Sequence, residues 1–97
     1  LAERIADVPE LQIVDVRNVE EQLTGMVPGA ISIPLHEYTP SMPPISTTDP
    51  KVPIYFICES GARSARAAEM TAQAGFLTVN VDGGTAAWRD AGFILAQ

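Results

Sequence analysis

The stretch Pro53-Ile54-Tyr55-Phe56-Ile57-Cys58-Glu59-Ser60-Gly61-Ala62-Arg63-Ser64 decides the fold of this chain. Its first five residues form an unbroken apolar run, which is typical of a strand buried on both faces of a parallel sheet. Residues 64–74 are rich in alanine and stop at Gly75, which predicts a helix. The stretch therefore predicts a strand, a short loop and a helix, with Cys58 at the carboxyl end of the strand.

The rest of the chain continues this alternation. Short runs rich in β-branched residues predict strands at 11–16, 30–33 and 78–81. Apolar spacing, a capping pattern and glycine stops predict helices at 1–8, 18–25 and 85–91. Strands that alternate with helices predict an α/β/α sandwich on a mostly parallel sheet, with helices on both faces.

Ligands of such sheets bind outside the carboxyl ends of the strands. Two segments with chemically useful side chains fall at such ends. One is Asp15-Val16-Arg17, and the other begins at Cys58. Their coincidence is the first indication of where a functional site lies.

Composition and charge narrow the function classes. The chain has 97 residues with 46% hydrophobic content, so residues 1–97 are expected to form a single domain. Twelve acidic residues against six basic ones give a net charge of −6, which argues against nucleic acids and anionic membrane surfaces as partners. No apolar run approaches the ~18–20 residues that a membrane span needs.

The small number of cysteine and histidine residues bears on metal binding and on the cellular compartment. One Cys and one His make a transition-metal site improbable, and we expect no cofactor. A lone Cys is compatible with a reducing compartment, and no signal peptide is visible, so we expect a cytoplasmic protein. Because the chain begins at Leu1 and not at Met, we expect a domain cut from a longer protein.

The loop from Cys58 to Ser64 has the composition of an activated thiol site. Backbone amides at the start of the following helix have no partner within that helix and can converge on an anion above Cys58. Gly61 permits backbone angles closed to other residues, and Arg63 adds a positive charge. Such surroundings lower the pKa of a thiol and make it nucleophilic, so we expect an ionised thiol at neutral pH. The alternative is an inert core cysteine.

Several short motifs carry a resemblance to a known family. In their order and spacing they resemble a rhodanese (sulfurtransferase) domain over nearly the whole chain. The resemblance implies a parallel sheet of about five strands, whose first strand would precede Leu1. The motifs are Val14-Asp15-Val16-Arg17, Glu20-Glu21, Pro28-Gly29-Ala30-Ile31-Ser32-Ile33-Pro34, Cys58-Glu59-Ser60-Gly61-Ala62-Arg63-Ser64, Ala74-Gly75-Phe76, Gly83-Gly84, Ala87-Trp88 and Ala91-Gly92.

The resemblance also implies a reaction. Cys58 would take a sulfane sulfur from thiosulfate, a persulfide or a polysulfide, hold it as a persulfide, and pass it to cyanide or a thiol. Independently of the resemblance, Asp15 and Arg17 are expected to support the site from the neighbouring strand end. The outer sulfur would be held by the loop residues Glu59, Ser60, Gly61, Ala62, Arg63 and Ser64.

One departure from the family pattern concerns the donor. Glu59 stands where members that use thiosulfate often carry a basic residue. A carboxylate beside the thiolate repels a dianionic donor. We therefore expect weak thiosulfate turnover and a donor of lower charge, such as a protein persulfide.

The residues alone leave several roles open. Arg63 either contacts the substrate or pairs with an acid such as Asp15 or Glu21. Arg17 either adds to a positive field or is a solvated surface charge, and Asp15 is expected to cap or pair at its strand end. The Ser64 hydroxyl either bonds the persulfide or caps the helix.

Two other function classes compete with sulfur transfer. Cysteine phosphatases use the same strand, loop and helix, but four residues separate Cys58 from Arg63, one fewer than those enzymes use. A non-catalytic interaction or regulatory module of a larger protein is the second alternative. Retention of Cys58, Gly61 and Arg63 speaks against it, because a docking domain does not need them.

Overall fold

A computed structural model describes residues 12–38, 53–93 and 95. The elements are β1 (Gln12–Asp15), α1 (Val19–Gln22), β2 (Ile31–Ser32), a 3-10 helix (Leu35–Glu37), β3 (Ile54–Ile57), α2 (Ala62–Gln73), β4 (Thr78–Asn80) and α3 (Gly84–Asp90). The helix predicted over residues 1–8 lies outside the described residues. Within the described ranges, no helix is both long and apolar enough to cross a membrane.

The strands form one parallel sheet in the order β2-β1-β3-β4. Asp15 is level with Ile57, and Phe56 is level with Asn80, so β1, β3 and β4 all end at the same edge. The α/β class is confirmed. The described residues hold four strands, one fewer than the resemblance implied, and the strand expected before Leu1 lies outside them.

The central strands β1 and β3 are buried on both faces of the sheet, since successive strand residues point to opposite sides and side chains pack against each side. On one face, Val14 and Phe56 pack with Ala67 of α2 and with Tyr38. On the other face, a second cluster forms around Ile13, Val27, Tyr55 and Ile57, with Trp88 of α3 packed against it. Helices thus cover both faces, as the predicted three-layer sandwich requires.

Two helices differ from the prediction by two or more residues at one end, and α3 is displaced by one residue. α2 begins at Ala62, two residues earlier than predicted, because Gly61 takes the left-handed conformation (φ +105°) that turns the chain into the helix. α1 is a single turn, Val19–Gln22. Asn18 and Glu21 form the predicted capping box. The chain then leaves the helix and reaches Gly25, which also has a positive φ.

Candidate active site

Cys58 directly follows β3, and only 1% of its surface is exposed to solvent. The Gly61 amide donates to Sγ at 3.1 Å, and the Ser64 amide donates at 3.4 Å. The Ser64 hydroxyl oxygen lies 3.3 Å from the same sulfur. These donors converge because α2 begins immediately after the loop, so its first amides point back toward the strand end.

The hydrogen bonds determine how easily the thiol ionises. Burial is the largest single influence on the pKa of Cys58 and raises it. Hydrogen bonds from the Ser64 hydroxyl and from the amides of Ser64, Gly61 and Ser60 favour the thiolate, and together they lower the pKa below its ordinary value. The direction favours a nucleophile, while full ionisation at neutral pH stays a prediction.

The first residues of α3 form hydrogen bonds with the backbone of the cysteine loop. The amides of Thr85 and Ala86 donate to the carbonyls of Cys58 and Glu59 at 2.8 and 3.0 Å. Because a trans peptide directs its N–H opposite to its C=O, anchoring the Glu59 carbonyl on α3 turns the Ser60 amide toward the sulfur. Gly84 makes the approach possible, since a Cβ there would lie 2.3 Å from the Cys58 oxygen.

A polar network from β4 reaches the same loop. The Asn80 Oδ1 lies 2.5 Å from the Ser64 hydroxyl. The Asn80 Nδ2 donates to the Gly61 carbonyl and to the Asp82 carboxylate, each at 3.2 Å. Asn80 is the last residue of β4, so the parallel alignment of β3 and β4 brings it beside the loop.

Arg17 is fully buried and lies beneath the loop. Its Nε and Nη2 donate to the Asp15 carboxylate at 3.0–3.2 Å, and Nη2 also donates to the Gly25 carbonyl at 2.7 Å. The interpretation of Arg17 as a solvated surface charge was therefore wrong, because the carboxylate at the end of β1 and a loop carbonyl supply partners inside the protein. Asp15 is the pairing partner of this guanidinium.

Glu59 lies between two arginines. It accepts from Arg17 Nη1 at 3.4 Å and from Arg89 Nη1 at 3.0 Å. The hydrogen bond from Arg89 is the main reason that the pKa of Glu59 is lowered. The Glu59 charge is thus compensated by a buried cation below it and by an exposed cation on α3.

Arg63 forms a bidentate ion pair with Glu21. Its Nη1 and Nη2 donate to the two carboxylate oxygens at 2.6 and 2.8 Å. The hydrogen bond from Arg63 is the largest influence on the pKa of Glu21 and lowers it to about 2. Of the two roles left open for Arg63, the structure contains the pairing with an acid.

Comparison with known proteins assigns the family. The family model "Rhodanese-like domain" matches residues 1–91. The chain belongs to the rhodanese-like domain family.

Individual relatives agree with this assignment. The rhodanese-like domain is 40% identical over 88 residues to YtwF of Bacillus subtilis, a provisionally named sulfurtransferase. The match covers 91% of this chain and 82% of that protein. It is 39% identical over 89 residues to a sulfurtransferase of Allochromatium vinosum, with 91% and 80% covered. Among solved structures, a rhodanese-related protein from Thermoplasma volcanium superposes with a TM-score of 0.78 at 26% identity, covering 98% of this chain and 92% of that one.

The rhodanese-like fold brings together most of the residues that the sequence singled out. Gly61 and Ser64 contact the Cys58 sulfur directly, while the side chains of Glu59 and Arg63 are occupied by ion pairs. Sequence analysis missed the support from Asn80, Thr85 and Arg89. In the described ranges, no group of three or more His, Cys, Asp or Glu side chains is placed to hold a metal ion.

Proposed function

We propose that this domain is a sulfurtransferase that carries a sulfane sulfur as a persulfide on Cys58. One observation carries the proposal. The backbone amides of Gly61 and Ser64 converge on the sulfur of Cys58, which is buried at a strand end and forms no disulfide. Buried amides that point at one atom favour negative charge there. The names of the two bacterial relatives support the same reaction class.

The reaction has two displacements. The Cys58 thiolate attacks the sulfane sulfur of the donor, a sulfur–sulfur bond forms, and the bond from that sulfur to the donor breaks, with the electron pair leaving on the donor. An acceptor thiolate or cyanide then attacks the outer sulfur. The bond to Cys58 breaks, and its electron pair restores the thiolate. The two steps balance without an oxidant, a reductant or a cofactor.

The start of α2 offers donors for the outer sulfur. The backbone amides of Ala62 and Arg63 have no hydrogen-bond acceptor among the described residues. They belong to the first turn of a helix of 12 residues, whose free N–H groups favour anions. In the proposed persulfide, these two amides hold the charge on the outer sulfur, and the loop from Glu59 to Ser64 surrounds it.

The charges around the loop favour a donor of low charge. The three arginines that support the loop are all paired, Arg17 with Asp15, Arg63 with Glu21 and Arg89 with Glu59. A dianion such as thiosulfate therefore gains little from them. We propose a persulfide or polysulfide donor, including a persulfide carried by another protein, and a thiol or cyanide as acceptor.

The proposed function also bears on the cellular location and on the classes of partner. A cytoplasmic location suits it, because a reducing compartment keeps a single thiol available. Nucleic acids and anionic membranes are not proposed as partners, since the net charge is −6.

The test is the intact mass of the protein after incubation with polysulfide, with a low-molecular-weight persulfide and with thiosulfate. We expect a gain of about one sulfur atom with the first two donors, its removal by cyanide with release of thiocyanate, and no gain in Cys58→Ala. Circular dichroism of the variant controls for folding. A folded wild-type protein that gains no sulfur from any donor would overturn the proposal, as would a gain that persists in Cys58→Ala.

A further inference from the structure

The Ser64 hydroxyl has one proton to donate and faces three acceptors, namely Cys58 Sγ, Asn80 Oδ1 and the Gly61 carbonyl oxygen at 3.2 Å. Its oxygen is 3.3 Å from Cys58 Sγ and 2.5 Å from Asn80 Oδ1. A serine hydroxyl donates a single hydrogen bond at a time. The three acceptors therefore compete for the same proton. The Gly61 carbonyl already accepts from the Ala65 amide and from Asn80 Nδ2, so the competition that matters is between the sulfur and Asn80 Oδ1.

The orientation of the Asn80 amide is determined by its other partners. Its second polar atom faces the Gly61 carbonyl and the Asp82 carboxylate, both at 3.2 Å. Each of these groups only accepts hydrogen bonds, so the NH₂ group must face them and the amide oxygen must face Ser64. Asn80 Oδ1 is consequently an acceptor for the Ser64 proton, and the shorter distance favours it while the sulfur is uncharged.

We propose that Asn80 is a positioning residue. While Cys58 is uncharged, Asn80 Oδ1 accepts the hydrogen bond of the Ser64 hydroxyl. When the sulfur becomes a thiolate, the hydroxyl turns and donates to the sulfur instead. A thiolate is the stronger acceptor, because hydrogen bonds to an ionised group are roughly twice as strong as neutral ones. This inference rests on the proposed role of Cys58 as nucleophile.

The competition has a direct consequence for the two displacements. Sγ is neutral in the persulfide and regains negative charge when the acceptor removes the outer sulfur. The Ser64 hydroxyl would donate to Asn80 in the persulfide and would turn to donate to Sγ as the second step proceeds. Asn80 thus makes ionisation of Cys58 less favourable than a freely donating Ser64 would, because the thiolate gains the Ser64 hydrogen bond only as Asn80 loses it.

Other charged groups near the sulfur are held by partners of their own. Arg63 of α2 is paired with Glu21 of α1. Glu59 is paired with Arg89 of α3 and with Arg17 beneath the loop. Asp82, two residues after the end of β4, accepts a hydrogen bond from Asn80. None of the ion pairs involves the Ser64 hydroxyl. A substitution of Asn80 also removes its hydrogen bonds to Asp82 and Gly61, and the Ser64→Ala background controls for that loss.

The test is a double-mutant cycle with Asn80→Leu, Ser64→Ala and the double variant. Leu has the same number and branching of side-chain heavy atoms as Asn, and it has no polar atom. The thiolate is followed by its ultraviolet absorbance during a pH titration, and its reactivity by iodoacetamide alkylation below the titration midpoint. We expect Asn80→Leu to lower the midpoint and to accelerate alkylation about threefold, because the hydroxyl is released to the sulfur.

In the Ser64→Ala background, the same Asn80→Leu change is expected to give no acceleration. Slower alkylation in Asn80→Leu, or an equal effect in both backgrounds, would overturn the inference and would indicate a purely structural role. Asn80→Ala serves as a second variant, and thermal unfolding shows which variants are folded. These readouts measure only the thiol, so their failure is distinguishable from a failure of sulfur transfer, which the mass experiment detects.

Discussion

The backbone amide of Thr85 donates a 2.8 Å hydrogen bond to the carbonyl oxygen of Cys58. The peptide group that follows Cys58 is thereby bound to the first turn of α3. The contact requires the chain at Gly84 to lie against the loop backbone, where a side chain has no room. The shape of the cysteine loop consequently depends on a helix that is distant in sequence.

Gly84→Ala is expected to impair both folding and persulfide formation. The added Cβ would lie 2.3 Å from the Cys58 oxygen and 2.7 Å from the Glu59 oxygen, so the loop or α3 must move. Gly92→Ala is the matched control, because Gly92 also has a positive φ but a Cβ there meets nothing within 4 Å. Both variants bear a backbone strain of about 1 kcal/mol.

We expect Gly84→Ala to lose clearly more unfolding free energy than Gly92→Ala in urea titrations. We also expect persulfide formation per folded molecule to fall about tenfold, since misplaced donors lose charge-assisted hydrogen bonds. Equal losses in the two variants would show that α3 does not hold the loop.

Glu59→Gln is expected to shift donor preference toward thiosulfate. The change removes one negative charge and leaves Arg89 without its carboxylate partner. For a dianionic donor, this change in charge at close range corresponds to about a tenfold gain in rate relative to a low-charge persulfide. The measurement is the ratio of persulfide formation rates with the two donors.

Glu69→Gln is the control for this experiment, because it makes the same change in net charge at an exposed position on α2. The gain in Glu59→Gln should also shrink at high ionic strength. The same donor ratio in both variants would exclude Glu59 as a determinant of donor choice.

Arg17→Met is expected to be strongly destabilising. Arg17 and Asp15 are both fully buried, so removing the guanidinium leaves an uncompensated buried carboxylate. Breaking one side of such a pair costs about 3–5 kcal/mol. The double variant Asp15→Asn/Arg17→Met should lose less than the sum of the single losses, because the second change removes the unpaired charge. Additive losses in urea titrations would contradict this account of the pair.

Glu21→Gln is expected to change how stability depends on pH. The folded carboxyl has a pKa of about 2, below its ordinary value of 4.5. The stabilisation by ionised Glu21 is therefore complete above the ordinary value and is lost as the pH falls toward 2. The pair is about one-third exposed, so we expect a difference of at most about 1 kcal/mol at neutral pH.

Unfolding free energies of wild type and Glu21→Gln should converge as the pH approaches the folded pKa. Glu20→Gln is the control, because Glu20 is an exposed neighbour on the same helix turn and forms no ion pair with any described residue. A gap between wild type and Glu21→Gln that persists in strong acid would mean that the ion pair is not its cause.

Most of the fold could be predicted from local patterns. The four strands of the described sheet lie where the apolar and β-branched runs placed them, because a strand needs only a few residues of suitable pattern. The start of α2 was misplaced, since the backbone angle of Gly61 determines it. The fifth strand had no residues of its own behind it and came only from the family resemblance.

The candidate site was predicted less completely. The chemistry of Cys58 and its loop is encoded locally, since the strand, the glycine and the helix start are contiguous. The partners of Arg63 and Glu59 depend on where β1, α1 and α3 lie after folding. No local pattern distinguishes an arginine that binds substrate from one that binds a distant carboxylate.

The sequence by itself determined an α/β chain with a cysteine at the end of its most apolar strand, followed by a loop that opens a helix. Tertiary structure alone decided that Arg17 is buried, that Asn80 reaches Ser64, and that the amides of α3 hold the Cys58 loop. The physical reason is range. Strand pattern and helix capping act over a few residues, whereas hydrogen bonds and ion pairs join whichever groups the parallel register brings to one edge of the sheet.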